Sequence, residues 1–467
     1  MHMQLRPFIP AYAVTTSDND ALIPELWAQE SLMLLENNLV MGNLVHRDYS
    51  SQVAKFGDVV NAHRPKERKP TRKTDADEVS STAAETDGVP VPLNQHIYDS
   101  FIIKDGEESM SFKELVSLHL QPTIMGMAQF IDSMLTGQVY QFIGTNSAGK
   151  LGTAVDSKIM TAIRRRANDL RWPMDGRNFV LPAGMEEDLL NTDLFVSAEK
   201  VGDDGTALRD GSLGRKFGLN TFMDQNAPSI ATGNTVTTGA INNAAGYDVG
   251  ATVLVVDGIT GEVDPGTWIT IAGDATPQMI IAQTETGGDT TGITISPGLR
   301  HAVADDAVIT LYTPGAVDFS DDYAAGYSKD LVVDGFSVAP QVGQLVTFGN
   351  VVANKYASLT SKASPSLTSL MLDRPLVAGA DDNTKIGIGP AGEYGFAFHK
   401  NALAFVNRPL AAPMPGTGAR AFVAEYNGLG IRVVITYDGK AQGHRVTVDM
   451  LAGVATLNSS LGFPVYA

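Results

Sequence analysis

From residue 253 onward, short runs of β-branched and apolar residues alternate with polar ones, with Gly, Asp and Pro between the runs. That pattern predicts short strands joined by tight turns. It also repeats. Leu254-Val255-Val256-Asp257-Gly258-Ile259-Thr260 returns 77 positions later as Leu331-Val332-Val333-Asp334-Gly335-Phe336-Ser337. The same offset, read without a gap, carries Gly266 onto Gly343, Trp268 onto Leu345 and Ile269 onto Val346. It carries Ile293 and Ile295 onto Leu370 and Leu372, Leu299 onto Leu376, Asp305 onto Asp382, and Ile309 and Leu311 onto Ile386 and Ile388. Self-similarity at one fixed offset marks a duplication, here two tandem β-modules of about 60 residues each. They are placed at 236–315 and 316–390. Two copies are too few for a solenoid, so the modules hang on the sequence before and after them.

Before the repeat, Pro24 suits a helix start. Trp27, Leu34 and Met41 recur every seven residues along Glu25–Met41. This predicts an amphipathic helix, either laid on another surface or packed in an ordinary core. Strands are predicted at 51–62 and at His96–Lys104. The polar stretch between them opens basic, with Arg64, Lys66, Arg68, Lys69, Arg72 and Lys73, and turns acidic, with Asp75, Asp77, Glu78, Glu85 and Asp87. So long a polar excursion is not expected to pack on its own domain. It docks on a partner or stays unstructured. The basic cluster alone fits a solvated face, an ionic contact between subunits or nucleic acid, the last disfavoured because no aromatic residues are interleaved.

Ser111-Phe112-Lys113-Glu114 reads as a capping box. Pro122 then opens a long helix to Phe142, about 30 Å of rod at 1.5 Å per residue. A third helix is predicted over Val155–Leu170, a buried strand at Phe179–Pro182 and a short helix at Met185–Leu190. Glycines 211, 214 and 218 predict tight turns before an extended segment. After the modules, Glu393–Leu410 and Ala421–Val434 read as helix or strand. Gly428–Tyr437 and His444–Met450 predict a hairpin around Asp438-Gly439.

Length and charge narrow the function. A chain of 467 residues suggests roughly two to four domains. Hydrophobic residues make up 43% but charged ones only 18%, as in proteins that bury much surface in assemblies. The net charge of −18 argues against wrapping nucleic acid. Without cysteine there is no disulfide framework, thiolate metal site or cysteine nucleophile. Met1–Tyr12 lacks the apolar core of a signal peptide. No apolar run approaches a membrane span, so a soluble protein made in the cytoplasm is expected. Gly144-Thr145-Asn146-Ser147-Ala148-Gly149-Lys150-Leu151 matches a phosphate-binding loop but has Leu where that loop needs Ser or Thr, and it follows a helix. The eight histidines are scattered. Asp318, Asp321 and Asp322 lack calcium-loop spacing and read as a solvated linker. Nothing in the chain argues for an enzyme, a cofactor or a metal.

The order of elements is distinctive. A helical arm precedes a long two-stranded loop, a capped long helix, a second helix and the Gly-punctuated stretch Leu208–Asn226. Inserted β-modules and the return Phe396-Ala397-Phe398-His399-Lys400-Asn401-Ala402-Leu403-Ala404-Phe405 follow. This layout resembles the major capsid (coat) proteins of tailed bacteriophages. More specifically, it resembles the podovirus coat type that carries an insertion domain in the Hong Kong 97 fold. Pro265–Gly273 and Ile293–Pro297 look like insertion-domain strands.

The resemblance implies an α+β chain. It would comprise an N-terminal arm (1–50), an extended loop over a neighbour (51–110), a peripheral domain with its spine helix (111–149) and an axial domain (150–235, with 391–467). The modules would project from the shell. A familiar insertion domain is single, whereas two copies stand here. The implied function is self-assembly into hexamers and pentamers of an icosahedral shell in the virion. Scaffolding protein, portal, a decoration protein and double-stranded DNA bound without sequence specificity are the implied partners. No crosslinking residues map onto this chain. Arg64, Lys66, Arg68, Lys69, Arg72, Lys73, Asp75, Asp77, Glu78 and Trp27 are the candidate interface residues. The alternative is a decoration or adhesin protein that binds through its tandem modules.

Overall fold

A computed structural model of the chain describes residues 24–47, 58–65, 70, 72–75, 86–106, 115–144, 146–197, 211, 213–231, 233–234, 236–349, 355–359, 366–414, 416, 418–426 and 428–467. Its centre is a helical rod that runs unbroken from Val116 to Phe142. A π-helical turn (Val116–Leu120) leads into an α-helix (Gln121–Thr136) and then a 3-10 stretch (Gly137–Phe142). Pro122 lies in the first α-turn, where its missing N–H costs nothing. Ile124, Met127, Ala128, Ile131, Met134, Leu135, Val139 and Phe142 are buried and face the largest core, while Met125 is exposed. The capping box at 111–114 lies outside the described residues.

The N-terminal helix, Pro24–Asn38, packs beside the rod and across the strands Arg420–Tyr426 and Leu429–Asp438. Trp27 is wholly buried among its own chain's residues, 6.0 Å from the Phe101 ring. Of the two readings of this helix, the internal one describes the structure. Trp27 therefore leaves the set of interface candidates, because an indole that already fills the chain's own core has no surface to offer.

Two sheets flank the rod. One joins 148–149, Gly462–Tyr466, Gly392–His399, Arg177–Leu181, Leu219–Met223 and 215–216, with Ser229–Ile230 alongside. The other joins Leu403–Arg408, Gly443–Thr456, Leu429–Asp438 and Arg420–Tyr426, with Gln95–Lys104 on the far side of Gly443–Ala452. The stretches after the modules that read as helix or strand are thus strands. The hairpin around Asp438-Gly439 forms as predicted, with Tyr437 opposite His444. The third helix, Ser157–Asp169, starts on Asp156, whose carboxylate accepts from the N–H groups of Lys158 and Ile159. Gly211, Gly214 and Gly218 all take positive φ, as tight turns there require.

Of the strand predicted at 51–62, residues 51–57 lie outside the described residues and the observed strand is Val59–Pro65; the second arm is a different one. Val59–Pro65 pairs with Thr86–Pro92, and these two strands form a sheet of their own. Gln95–Lys104, expected as the returning arm, belongs to the body. Prolines at 90 and 92 masked the true partner strand. Pro cannot donate to a ladder, so sequence reasoning discounts it, yet a two-stranded ribbon has outer edges where Pro is tolerated.

Each repeat copy closes into an antiparallel six-stranded barrel. Barrel 1 spans Val236–Tyr312 and barrel 2 spans Gly315–Ile388. Both share one strand order. Leu254 faces Ile293 as Leu331 faces Leu370, and Ile269 faces Leu311 as Val346 faces Ile388. The first strands stand one residue closer, with Tyr247 matched by Tyr323 and Gly239 by Gly315. Sequence comparison missed that portion because the offset slips there. The chain leaves the body at Ser229–Ile230 and re-enters at Gly392–Glu393, and those two segments pair. The barrels are therefore an insertion at a single point. Among the described residues no helix is long and apolar enough to cross a membrane.

Candidate assembly surfaces

The two-stranded hairpin roots on the body through Ala62, Val91 and Leu93, which pack on Ala404, Val406 and Leu451. Beyond the root it carries the charged run of the chain. Arg72, Lys73 and Asp75 are exposed. Arg64 lies in the first strand. Lys66, Arg68, Lys69, Asp77 and Glu78 lie outside the described residues.

Barrel 2 seats on the 3-10 end of the rod through polar groups that sequence reasoning did not single out. Asp373, fully buried, accepts from the Gln138 side chain of the rod at 2.7 Å and from the Ala357 N–H at 3.0 Å. Gln95 donates to the Asp373 carbonyl at 2.8 Å. Arg374 donates to the Lys355 carbonyl at 2.6 Å, its guanidinium 4.8 Å from the Tyr356 ring centre. Gln141 donates to the same carbonyl. Burial pushes the Asp373 carboxyl up to about 6 and, with Arg374 nearby, pulls the Lys355 ammonium down to about 8. A Cβ at Gly137 would stand 2.6 Å from that of Ala357, so only Gly lets the rod and barrel meet there. The available signal was the polar spacing of Gln138 and Gln141 inside an otherwise apolar helix end.

Barrel 1 is held at two places. Barrel 2 meets it through Thr347, which accepts from the buried Trp268 indole at 2.9 Å, and through Lys385, 3.4 Å from Asp264. The body meets it through the segment that resembled a phosphate-binding loop. Lys150 donates to the Gly273 carbonyl, and the Leu151 N–H to the Ala275 carbonyl at 2.9 Å. The lysine a nucleotide would need is engaged as a strut. Asp322 accepts from the N–H of Asp382, and Asp382 in turn accepts from that of Phe319, so Asp318–Asp322 is tied into barrel 2 and is not a linker.

A third joint ties the N-terminal helix to the rod. Asp132 accepts from the N–H groups of Val40 at 2.7 Å and Gly42 at 3.1 Å. Burial, reinforced by the charge of Asp224, pushes its carboxyl up to about 7.

No family model matches the chain, and no curated protein matches it. Among solved structures, a chain of Mycobacterium phage Che8 is 12% identical, with 91% of this chain and 90% of that one covered, at a TM-score of 0.42. The capsid of cyanophage P-SCSP1u is 10% identical over 92% and 88%, also at 0.42. The mature capsid of bacteriophage PhiM1 is 8% identical over 100% and 92%, at 0.38.

Proposed function

We propose that this chain is the major shell subunit of a tailed double-stranded DNA bacteriophage, assembling with itself into hexamers and pentamers around the genome. The hairpin carries this reading. Val59–Pro65 and Thr86–Pro92 form a ribbon outside the larger sheets, rooted on the body through Ala62, Val91 and Leu93, and the run between them carries exposed Arg72, Lys73 and Asp75. A neighbouring copy that covers the ribbon and pairs with its charges accounts for it. Exposed ion pairs contribute about 0–1 kcal/mol each, so such contacts must be repeated around a closed shell to hold it. On this reading 1–50 is the arm, the hairpin is the extended loop, the rod is the spine of the peripheral domain, and the barrels project outward. Scaffolding protein and portal serve during assembly, and the acidic chain encloses DNA without gripping it.

The test is to delete residues 66–85, join the strands with a short turn, and view the product by electron microscopy and light scattering. The expected product is a folded, soluble chain that forms no closed shells. Normal shells would end the docking role of the hairpin. A monodisperse small oligomer from the intact chain, even beside its neighbouring gene products, would favour the decoration or adhesin alternative.

A further inference from the structure

The two outer edges of the hairpin are unlike, and its prolines fix which backbone groups face out. Val59 stands opposite Pro92, Val60 opposite Val91 and Asn61 opposite Pro90. In an antiparallel pair, facing residues alternate between exchanging two hydrogen bonds and pointing their N–H and C=O away from the partner strand. Pro90 and Pro92 have no N–H to exchange, so the bonded pairs are Val60–Val91, Ala62–Val89 and Arg64–Asp87. The Leu93 N–H, which donates to the Asp58 carbonyl at 2.8 Å, continues that alternation. The backbone groups of Val59, Asn61 and His63 therefore point outward from the first strand. Those of Thr86, Gly88, Pro90 and Pro92 point outward from the second.

The second edge is closed. It carries both prolines, and the Pro92 carbonyl lies so near Gly453 of the body that a Cβ there would strike it. The first edge has no such guard. Among the described residues no strand pairs with it, Val59 is 52% exposed and Asn61 is exposed. An open strand edge is a template for another strand, and chains that need it blocked use Pro, a bulge or a covering element. Val59–Arg64 holds no proline, and its register runs without a bulge. The edge is also its own complement. Laid antiparallel on a second copy and centred on Asn61, Asn61 meets the partner's Asn61 and Val59 meets the partner's His63, so outward groups face outward groups. The same register sets Asp58 across from the partner's Arg64 at each end, acidic against basic.

We infer that two copies of this chain join through the outer edge of Val59–Pro65, antiparallel and centred on Asn61, so that their hairpins become one sheet. Ala62 of each copy points to the same face of that sheet, the face that roots on Ala404, Val406 and Leu451, so the two bodies stand side by side beneath it. Main-chain hydrogen bonds supply the affinity in such strand addition, and the charges at 58 and 64 set the register. The inference deepens the shell reading and rests on it, since copies must meet at this hairpin.

The chain has no cysteine, so a single introduced thiol reports a single contact. Bonded residues facing each other across antiparallel strands stand about 5.5 Å apart at Cα, within reach of a disulfide. Under mild oxidation the full chain carrying Asn61→Cys should form a disulfide-linked dimer at least about tenfold faster than one carrying Gly88→Cys. Gly88 is exposed on the opposite edge of the same hairpin. Adding His63→Pro to Asn61→Cys should return the rate to that of Gly88→Cys while leaving the melting temperature nearly unchanged, because the amide it removes serves no bond within the hairpin. Equal trapping at the two positions, or trapping that survives His63→Pro, overturns the pairing. The 66–85 deletion keeps the two readings apart. Absent trapping beside a deletion that still blocks shells ends the edge pairing alone. Trapping beside a deletion that leaves shells normal keeps the pairing and ends the docking role of the charged run.

Discussion

The two barrels are one design used in two ways. Both keep a tyrosine whose hydroxyl accepts the N–H of the second strand, Tyr247 with Val255 and Tyr323 with Val332, each at 2.8 Å. Both use a carboxylate to hold the end of the first strand, Asp305 with Asn243 and Asp382 with Phe319. Both need Gly in that strand, because a Cβ at Gly239 or Gly315 would strike Ile259 or Phe336. They differ in what their buried carboxylate does. Asp274 of barrel 1 is satisfied inside the barrel, by the His301 ring at 2.9 Å, the His301 N–H at 2.8 Å, Thr276 at 2.8 Å and Gln278. Asp373 of barrel 2 reaches the rod instead. Duplication kept what closes a barrel and freed what attaches it.

The largest test of this contrast is Asp274→Ala. It strips several buried donors of one acceptor, a loss of about 3–5 kcal/mol. Barrel 1 should become protease-sensitive while barrel 2 stays folded on the rod. Loss of both barrels together would show that they unfold as one unit. Next is Gly137→Val, which forces the rod against Ala357 and should cost about 1–3 kcal/mol. The expected result is cleavage opening around barrel 2's seat, with barrel 1's own hydrogen-exchange protection retained.

The pH dependence separates the barrels again. Folding binds the Asp373 proton more tightly than the unfolded chain does. Its contribution is therefore fullest below the ordinary value of 3.8 and is lost as pH rises through about 6. Asp132 adds to the same decline up to about 7. Lys355 acts oppositely, since the unfolded chain holds that proton more tightly, and stability recovers between about 8 and 10.5. Asp373→Asn should remove about 2 kcal/mol of the decline between pH 4 and 6, as read by denaturant unfolding across pH. An unchanged slope would place the titration elsewhere. The smallest effects should be Tyr247→Phe and Tyr323→Phe, about 1 kcal/mol each. Equal losses would confirm that the shared bond is equally used in both barrels, and unequal ones would break the equivalence.

Much of this was legible beforehand because it is local. The alternation around Leu254 and Leu331 sets which side chains point inward, and the repeat matched Leu254 with Leu331 and Ile293 with Leu370, positions that the structure pairs in the same way in both copies. The rod and the hairpin at Asp438 follow from a continuous apolar stripe and a two-residue turn signal. The charged run at 64–78 could be named but not placed, since charge spacing says nothing about what it faces.

The sequence by itself determined the duplication, the rod and the hairpin around Asp438, since periodicity and turn chemistry are properties of neighbouring residues. Only the tertiary structure decided that Trp27 lies inside, that Thr86–Pro92 and not Gln95–Lys104 completes the hairpin, and that Gln138, Asp373 and Lys150 fasten barrels to the body. Each of those depends on which distant surface covers a residue. Burial and partner choice are settled by long-range packing, and no local pattern encodes them.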